Sequence, residues 1–411
     1  MQRSVPSVQP APSVSSTDGR TRLAGLDGIR GLAAFFVVLH HCRLLSYTGF
    51  PADTGPWWSG WLLYGHFAVG VFIVLSGFSL AVAPARSGWR LGGLRRFAHR
   101  RLWRILPPYW PALVMSLVIA WTLVPQPGEA APTAKSVLIY GLLLQDVFGA
   151  PSPNGALWSI AVEAQLYLVF PLLLLIVRRA GAAVMLGAVT AVVAAIGALA
   201  PSVPAVDALM RFTPQFAALF AIGVVAAGIV SAGERTRGLP WHWLALLAFL
   251  PVLALILVKG SVWTVGNFFW ADLAIGPSVG LLLAAVATGR PRWFLRFLDT
   301  RPVRALGSFS YSLYLTHAPL VVVVSVLVVQ PFAAPGTGRF LATLALAVPL
   351  TLVVARLFAA AFEWPFQRHR TWPALREAVR SAVSRRRDRR RSVHHTDLDE
   401  KGEGSAVGRS A

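Results

Sequence analysis

Long apolar runs alternate along the chain with short polar or basic segments. A helix needs about 20 residues to cross roughly 30 Å of hydrocarbon, because each residue adds about 1.5 Å of length. Ten runs have about this length, at approximately 26–46, 61–83, 104–124, 157–177, 181–200, 212–231, 241–258, 268–288, 306–328 and 340–361. The pattern predicts an all-α fold, a polytopic membrane helix bundle with about ten transmembrane helices.

An eleventh apolar segment, 136–148, is shorter and contains Gln145 and Asp146. If it does not span, 31 of the 38 Lys and Arg residues lie in regions on one side of the membrane and only four lie in loops on the other. If it spans, every later loop changes sides, against the positive-inside rule. We therefore predict a multi-pass cell-membrane protein with both termini cytoplasmic. Segment 136–148 is then re-entrant or interfacial, with its backbone satisfied by protein or water.

Composition supports this fold class. Hydrophobic residues make up 55% of the 411 residues and charged residues only 13%, about half of the share in a soluble domain. A net charge of +21 is also found in nucleic-acid-binding proteins, but here the basic residues lie in loops and a tail beside apolar runs. We expect the lipid bilayer as a partner and no nucleic acid.

The chain divides into three regions. Residues 1–21 are rich in Ser, Pro and Val and are predicted to form a disordered cytoplasmic arm. Residues 22–366 hold the ten runs and form the membrane domain. Residues 367–411, which include SRRRDRRRS, are predicted to be a disordered basic cytoplasmic tail that contacts anionic lipid.

The first run, LDGIRGLAAFFVVLHHC, carries ionisable residues at membrane depth, where each costs at least about 2.5–3.5 kcal/mol and marks a candidate functional site. Arg30 and His41 lie on one helix face, roughly 16 Å apart along the axis. Histidine is the usual general base near neutral pH, and arginine binds phosphate or carboxylate through its planar fork. His41 alone is otherwise explained as a histidine satisfied by a neighbouring helix. His40 points elsewhere and is predicted to pack.

The segment after the second run reads RRFAHRRLWRILPPYWP. Its basic residues form either a topology signal that contacts lipid headgroups or a phosphate cradle. Arg101 and Arg104 are three residues apart and are neighbours on a helix surface, so they are placed to bind a pyrophosphate, with Arg96 as a third candidate. Pro107 and Pro108 are predicted to mark the start of the third span.

Two later runs contain acids. Glu163 lies in an apolar stretch with Tyr167 one turn further on, and Trp158 is predicted near the membrane interface. Glu163 is suited to orient a histidine or to pair with a buried arginine, and a purely structural ion pair is the alternative. Asp272 has the same two interpretations.

Two histidines are candidates for contact with other groups in the membrane. Tyr314 and His317 are three residues apart and share a helix face. His317 is about halfway across the membrane and would meet His41 if the two helices are neighbours. His66 lies in the first part of the second run, near the outer interface, where it is a candidate to face an acceptor.

Six sequence blocks occur in a characteristic order: LDGIRGLAAFFVVLHH, FIVLSGF, RRLWRILPPYW, LWSIAVEAQLYL, SYSLYLTHAPL and FEWPF. Together they resemble the membrane-bound acyltransferase-3 family of O-acyltransferases over about residues 22–370. The resemblance implies a ten-helix membrane domain and a coenzyme A thioester donor on the cytoplasmic side. It also implies transfer to a hydroxyl of a carbohydrate, a polysaccharide precursor or a natural product.

The family motifs fall on particular residues here. The arginine–ten–histidine motif falls on Arg30 and His41, and the paired-arginine motif falls on Arg101 and Arg104. The remaining motif falls on Trp158, Ser159, Glu163 and Tyr167, with Ala164 where a second acid is common. Some members carry a hydrolase-like domain after the membrane domain, and the short charged tail predicts none here.

Residues and resemblance combine into one hypothesis, an integral membrane O-acyltransferase that moves an acyl group, expected to be acetyl, from cytoplasmic acyl-CoA to a hydroxyl of a carbohydrate or glycosylated natural product. We expect no metal and no permanently bound cofactor. The catalytic candidates are His41, Arg30 and Glu163; the donor-binding candidates are Arg96, Arg101 and Arg104; the supporting candidates are Trp158, Tyr167, Tyr314 and His317. Direct transfer and an acyl-histidine intermediate both remain open. A transporter of small molecules or lipid-linked sugars, and a non-catalytic scaffold, are the alternatives.

Overall fold

The described part of the chain is a bundle of helices without β-strands. The computed structural model describes residues 23, 25–369, 371–378, 380–381 and 384. Its α-helices are α1 (Leu26–Leu44), α2 (His66–Ala85), α3 (Leu94–Thr122), α4 (Ala134–Gly141), α5 (Trp158–Ala180), α6 (Ala182–Leu199), α7 (Pro204–Asp207), α8 (Gln215–Gly228), α9 (Glu234–Arg237), α10 (Trp241–Gly266), α11 (Phe268–Ala287), α12 (Arg292–Leu298), α13 (Arg301–Ser308), α14 (Ser310–Val323), α15 (Thr337–Phe358) and α16 (Trp364–Arg368). Short 3-10 helices occupy Trp57–Tyr64, Ala208–Phe212 and Ile229–Ser231, and π-helical turns occupy Val324–Val329 and Ala359–Glu363.

The long helices match the predicted membrane runs, so the predicted fold class is confirmed. In the part of the chain that the structure describes, eight helices are long and apolar enough to cross a membrane, and the bent pair Pro204–Phe212 with Gln215–Ser231 makes a ninth. Helix α1 also coincides with a predicted run and has 19 residues, but it carries Asp27, Arg30 and Arg43. These charges lower its apolar character, so the predicted number of ten is approximate. The chain is a multi-pass membrane protein.

Helix α3 corrects the predicted boundary of the third span. It begins at Leu94, ten residues before the predicted start, so the arginine-rich segment is the first part of the helix rather than a loop. The prediction that Pro107 and Pro108 mark the start of the span is wrong, because both lie inside the helix. Helices in membranes tolerate internal proline because neighbouring groups satisfy the backbone that it frees.

The segment predicted to be re-entrant does not form a spanning helix. Helix α4 has eight residues, about 12 Å, and ends at Gly141. Its carbonyls at Tyr140 and Gly141 accept hydrogen bonds from Tyr109 Oη at 2.7 Å and Trp110 Nε1 at 3.1 Å. Burial raises the pKa of the Asp146 carboxyl beyond this helix to about 6. Protein groups thus satisfy the last carbonyls of this short helix, as its place beside the spans requires.

Close helix packing around α2 sets the frame of the site. A Cβ built on Gly223 of α8 would lie 2.0 Å from the Val74 carbonyl oxygen of α2, and one built on Gly77 would lie 2.2 Å from the Phe220 carbonyl oxygen. Only glycine allows the two backbones to approach so closely, as small residues commonly do in membrane bundles. Helices α1, α3, α5 and α14 complete the frame around α2.

The terminal regions are described only in part. The predicted arm 1–21 lies outside the described residues. Of the tail predicted from 367, the structure describes the end of α16 and a helical stretch at 372–378, with Leu375 buried. Trp103 Nε1 of α3 donates a hydrogen bond to the His369 carbonyl at 2.9 Å. The start of this tail therefore packs against the arginine-rich part of α3.

Candidate active site

A single cavity of about 210 Å³ gathers most of the predicted site residues. Its walls come from α1, α2, α3, α5 and α14, together with residues at the end of the chain's last helices. Six of the sequence-predicted residues line it: Arg30, Arg101, Arg104, Glu163, Tyr167 and Tyr314. These residues are up to 284 positions apart in the chain, from Arg30 to Tyr314, and the fold brings them together.

Three arginines and three acids line the cavity. Arg30 Nη1 contacts Asp27 Oδ1 at 3.2 Å, and Arg30 Nη2 donates to Ser79 Oγ at 2.7 Å. Arg101 lies with its guanidinium carbon 5.9 Å from the centre of the Tyr167 ring, and its Nε is buried without a hydrogen-bond partner among the described residues. Arg104 is exposed. A buried unpartnered guanidinium N–H is costly, so it indicates a place for an anion.

Glu163 is held by hydroxyl groups. Ser76 Oγ donates to Glu163 Oε1 at 2.7 Å, and the Tyr167 hydroxyl donates to the same oxygen. Tyr167 follows Glu163 by four residues on α5, which places both side chains on one helix face. Glu163 forms no ion pair or histidine hydrogen bond within the described ranges. Its carboxylate therefore balances the charge of the arginines at a distance rather than by direct pairing.

His41 and His317 lie edge to face, with ring centres 5.0 Å apart and planes at 90°. His41 Nδ1 lies 3.1 Å from the Val37 carbonyl, and His317 Nδ1 lies 2.7 Å from the Tyr314 carbonyl. A carbonyl only accepts, so each Nδ1 carries the proton and each neutral ring keeps its lone pair on Nε2. His317 Nε2 is buried without a partner in the described part of the chain.

Tyr314 connects the histidine pair with the cavity. Its ring centre is 5.7 Å from that of His317, and its hydroxyl is 2.7 Å from Ser159 Oγ. Tyr314 and Ser159 both line the cavity. The two histidines thus lie one layer of side chains beyond the inner end of the arginine-lined cavity.

Other sequence candidates lie outside this cavity. Arg96 is exposed on α3 and does not line it. Trp158 stacks near His66, with ring centres 5.8 Å apart. His40 Nδ1 bonds the Leu62 carbonyl at 2.6 Å, so it is a packing contact of the kind that the sequence predicts. No group of three or more His, Cys, Asp or Glu side chains suited to a metal ion occurs among the described residues.

Sequence reasoning missed several polar residues of the cavity wall. Ser79 holds Arg30, and Tyr311 donates to the Ile105 carbonyl at 3.2 Å. Glu363 also lines the cavity and accepts hydrogen bonds from the Ser312 backbone N–H at 3.1 Å and from Gln367 Nε2 at 2.8 Å. In the sequence, these residues are marked by a polar side chain inside an apolar run, as in FIVLSGFSL. This pattern is too weak to distinguish residues of the cavity wall from residues that only pack between helices.

Several bacterial proteins resemble this chain. It is 27% identical over 73% of its length to a Bacillus subtilis protein provisionally named peptidoglycan O-acetyltransferase YrhL. It is 22% identical over 85% of its length to peptidoglycan O-acetyltransferase OatA of Listeria monocytogenes, and 23% identical over 75% to O-acetyltransferase OatA of Staphylococcus aureus. These matches cover 49%, 56% and 52% of the relatives, so the chain spans about half the length of the curated relatives it matches.

A family profile decides the assignment. No solved structure matches the chain significantly. The profile described as an acyltransferase domain matches residues 23–358, which is most of the chain and includes all six predicted residues of the cavity wall. The chain therefore belongs to the acyltransferase-3 family of membrane proteins.

Proposed function

We propose that this chain is an integral membrane O-acyltransferase that transfers an acetyl group from acyl-CoA to a hydroxyl of a glycan. The observation that carries the proposal is the arginine-lined cavity with the histidine pair at its inner end. A cluster of fixed cations supports binding of a phosphate-bearing donor, and an adjacent pair of neutral imidazoles supports acyl transfer.

The donor enters from the face that carries the arginines, which we propose to be cytoplasmic. Arg101 and Arg104 bind the phosphates of acyl-CoA, and Arg101 is the better placed because its buried Nε awaits an acceptor. Arg30 is anchored by Asp27 and Ser79, so it presents a fixed charge deeper in the cavity. The pantetheine arm follows the cavity toward Ser159 and Tyr314.

The chemistry takes place at His41. Its Nδ1–H is held by the Val37 carbonyl, which leaves Nε2 as the basic atom. Nε2 either takes the proton of the acceptor hydroxyl or first receives the acyl group, and coenzyme A leaves as the thiolate when the C–S bond breaks. His317 packs against His41 and fixes its ring. Arg30 and Glu163 shape the charge around the thioester.

The acceptor that we propose is a hydroxyl of a cell-envelope glycan. Two of the relatives carry names that assign them to peptidoglycan, which supports a cell-envelope glycan as the acceptor class.

Membranes that contain the full chain provide the direct test. Acetyl-CoA and a soluble peptidoglycan glycan are added, and both the released coenzyme A thiol and base-labile acetyl on the glycan are measured. We expect equal amounts of thiol and ester, and no release from membranes without the chain. Glycan uptake without thiol release would contradict the proposal and favour the transporter alternative.

A further inference from the structure

A second buried polar cluster lies outside the cavity. His66 Nε2, at the start of α2, is 2.9 Å from Asp272 Oδ2 of α11, and Gln215 Nε2 of α8 donates to the same oxygen at 3.4 Å. Asp272 is fully buried, yet its Oδ1 has no partner in the described residues, and neither has Gln215 Oε1. Buried polar atoms without partners are rare, and they commonly mark sites of ligands or ordered water.

Aromatic rings fix the orientation of His66. Phe268 lies nearly parallel to it with ring centres 4.0 Å apart and planes at 17°, and Trp158 lies nearly parallel at 5.8 Å and 9°. The His66 side chain nevertheless remains 19% exposed. An apolar wall with a few convergent polar groups is the usual composition of a small-molecule binding site.

This cluster lies at the far end of the donor cavity. His66 is the first residue of α2, about 28 Å along that helix from its last residue, which leads to the arginines of α3. Val69, one turn from His66, lines the donor cavity, and so does Ser159, the residue after Trp158. His40 packs against the neighbouring Gly65, where an added Cβ would lie 2.2 Å from its ring, and its ring centre is 5.2 Å from that of His41. The cluster therefore adjoins the histidine pair from the side opposite the arginines.

We propose that His66 and Asp272 form the acceptor-side base of the transferase, so that His66 is a catalytic residue and Asp272 its positioning residue. The inference rests on the proposed function and deepens it. His66 donates a hydrogen bond from Nε2–H to Asp272, so the lone pair of the imidazole lies on Nδ1. In this arrangement an acid–histidine pair activates a hydroxyl. The acceptor is a hydroxyl-bearing glycan that arrives from the face opposite the arginines.

The reaction then divides between two histidines. His41 Nε2 attacks the thioester carbon, the C–S bond breaks, and coenzyme A leaves as the thiolate. The acceptor hydroxyl next gives its proton to His66 Nδ1, and its oxygen bonds to the acyl carbon while the C–N bond to His41 breaks. The proton on His66 balances the charge of the thiolate, so the net reaction converts a thioester and a hydroxyl into an ester and a thiol.

The test compares His66→Gln, Asp272→Asn and the double variant with the wild-type chain. Cells carrying each variant at matched protein levels are assayed for base-labile acetyl on envelope glycans, and the purified proteins are assayed for acetyl-CoA binding. We expect His66→Gln to reduce transfer about 10²–10⁴-fold while acetyl-CoA binding stays unchanged, because only a general base is lost. Without acceptor, His66→Gln should still release about one thiol per protein, whereas His41→Ala should release none.

Asp272→Asn separates positioning from a structural ion pair. Loss of the carboxylate removes the group that accepts the His66 Nε2–H, so transfer should fall while acetyl-CoA binding and thiol release without acceptor stay at the wild-type level. The double variant should transfer acetyl no more slowly than His66→Gln, because both changes remove the same function. Transfer at the wild-type rate with only a lower melting temperature would show that the pair merely joins α2 to α11.

The control is His242→Gln, which replaces a half-buried histidine of α10 outside both sites and should leave transfer unchanged. Wild-type transfer by His66→Gln beside an inactive His41→Ala would overturn the acceptor-base inference alone. Absence of thiol release from His66→Gln would place His66 in the donor step and also overturn it. Absence of acetyl transfer by the wild-type chain would instead remove the proposed function.

Discussion

At the scale of single residues, the two proposed sites contain buried polar atoms without a hydrogen-bond partner among the described residues. Arg101 Nε and His317 Nε2 are both buried and have no partner in the described structure, and Asp272 Oδ1 is a third such atom on the opposite side. Burial of a polar group without a partner costs about 1–3 kcal/mol, and a bound ligand would offset this cost at the two proposed sites. Similar atoms also occur outside these sites, such as His242 Nδ1. By contrast, His40 Nδ1 bonds the Leu62 carbonyl, and Glu363 accepts from the backbone N–H and hydroxyl of Ser312 and from the Gln367 amide.

His41→Ala should abolish acyl transfer while insertion and acetyl-CoA binding stay near the wild-type level. Loss of a general base costs about 10²–10⁴ in rate, and a larger loss would favour an acyl-histidine intermediate. His40→Ala is the matched neighbour. Its imidazole bonds the Leu62 carbonyl rather than facing His317, so it should retain most activity per folded protein. Acyl transfer in membranes at matched protein levels measures both, and equal damage from the two changes would contradict the assignment.

Arg101→Ala and Arg104→Ala should each weaken acyl-CoA binding about ten- to a hundredfold, because a charge-assisted hydrogen bond contributes roughly 1.5–3 kcal/mol. The larger effect is expected at Arg101, since Arg104 is exposed and its interactions are screened by solvent. Lysine should rescue only in part, because it lacks the planar fork.

Direct binding of acetyl-CoA to the purified variants measures this effect. Arg95→Ala is the control, because Arg95 is exposed on the same helix and lies outside the cavity wall. If the Arg101/Arg104 double variant bound acetyl-CoA as tightly as the wild-type chain, these arginines would act only as a topology signal.

The pairs of helices that touch decide the shape of the cavity at the scale of elements. Helix α3 carries its arginines into the bundle because the helix continues without a break from Leu94 through three prolines to Thr122. Helix α2 supplies one wall and runs against α8 along glycines. The shape of the cavity thus depends on how these helices pack against each other and not only on the polar residues of its wall.

Gly223→Ala should destabilise the bundle, because the added Cβ would lie 2.0 Å from the Val74 carbonyl oxygen and 2.8 Å from the Phe78 nitrogen. Backbone atoms cannot move without separating α2 from α8, and overpacking of this kind costs about 1–3 kcal/mol. The expected result is a lower melting temperature in detergent and a weaker response to acetyl-CoA.

Gly187→Ala provides the matched control for this substitution. Gly187 is exposed in α6 and has no other group within 4 Å of an added Cβ. Alanine should leave stability unchanged or raise it by roughly 0.5–1 kcal/mol through helix propensity. Equal melting temperatures for Gly223→Ala and the wild-type chain would show that the helices separate at little cost.

Two faces of opposite character emerge at the scale of the whole molecule. The ends of α1 and α3 that carry Arg30 and Arg101 meet the end of the last helices, as Trp103 and His369 show. On the other face, Ser46 follows α1 and Gly336 precedes α15. The Gly336 N–H donates a hydrogen bond to the Ser46 carbonyl at 2.9 Å. The proposed donor and acceptor sites lie toward opposite faces, which supports our proposal of a cytoplasmic donor and an extracytoplasmic glycan.

Reporter fusions test the proposed orientation of these faces. A reporter fused after Ser231 or Arg292 should lie in the cytoplasm, because both positions adjoin the basic segments. A reporter near Pro335 should lie outside, since it precedes α15 on the opposite face. Alkaline phosphatase and fluorescent-protein fusions measure the two locations. A cytoplasmic signal at Pro335 would contradict the arrangement with both termini inside.

The sequence by itself determined the membrane class, the helical fold, the approximate number of spans and the family. These properties depend on local apolar length, on charge along the chain and on short motifs, and hydrocarbon enforces them because every backbone group must find an internal partner. The candidate residues Arg30, His41, Arg101, Glu163 and His317 also came from the sequence, since ionisable groups are conspicuous in apolar runs.

Only the tertiary structure decided which of these residues meet. Arg96 was a third donor-binding candidate beside Arg101, and only the rotation of α3 against its neighbours turns Arg96 to solvent and Arg101 to Tyr167. Nor did spacing show that His66 meets Asp272, 206 residues away. Such pairs depend on how the helices pack. Small residues such as Gly77 and Gly223 set this packing, but the sequence does not show which helix each of them contacts.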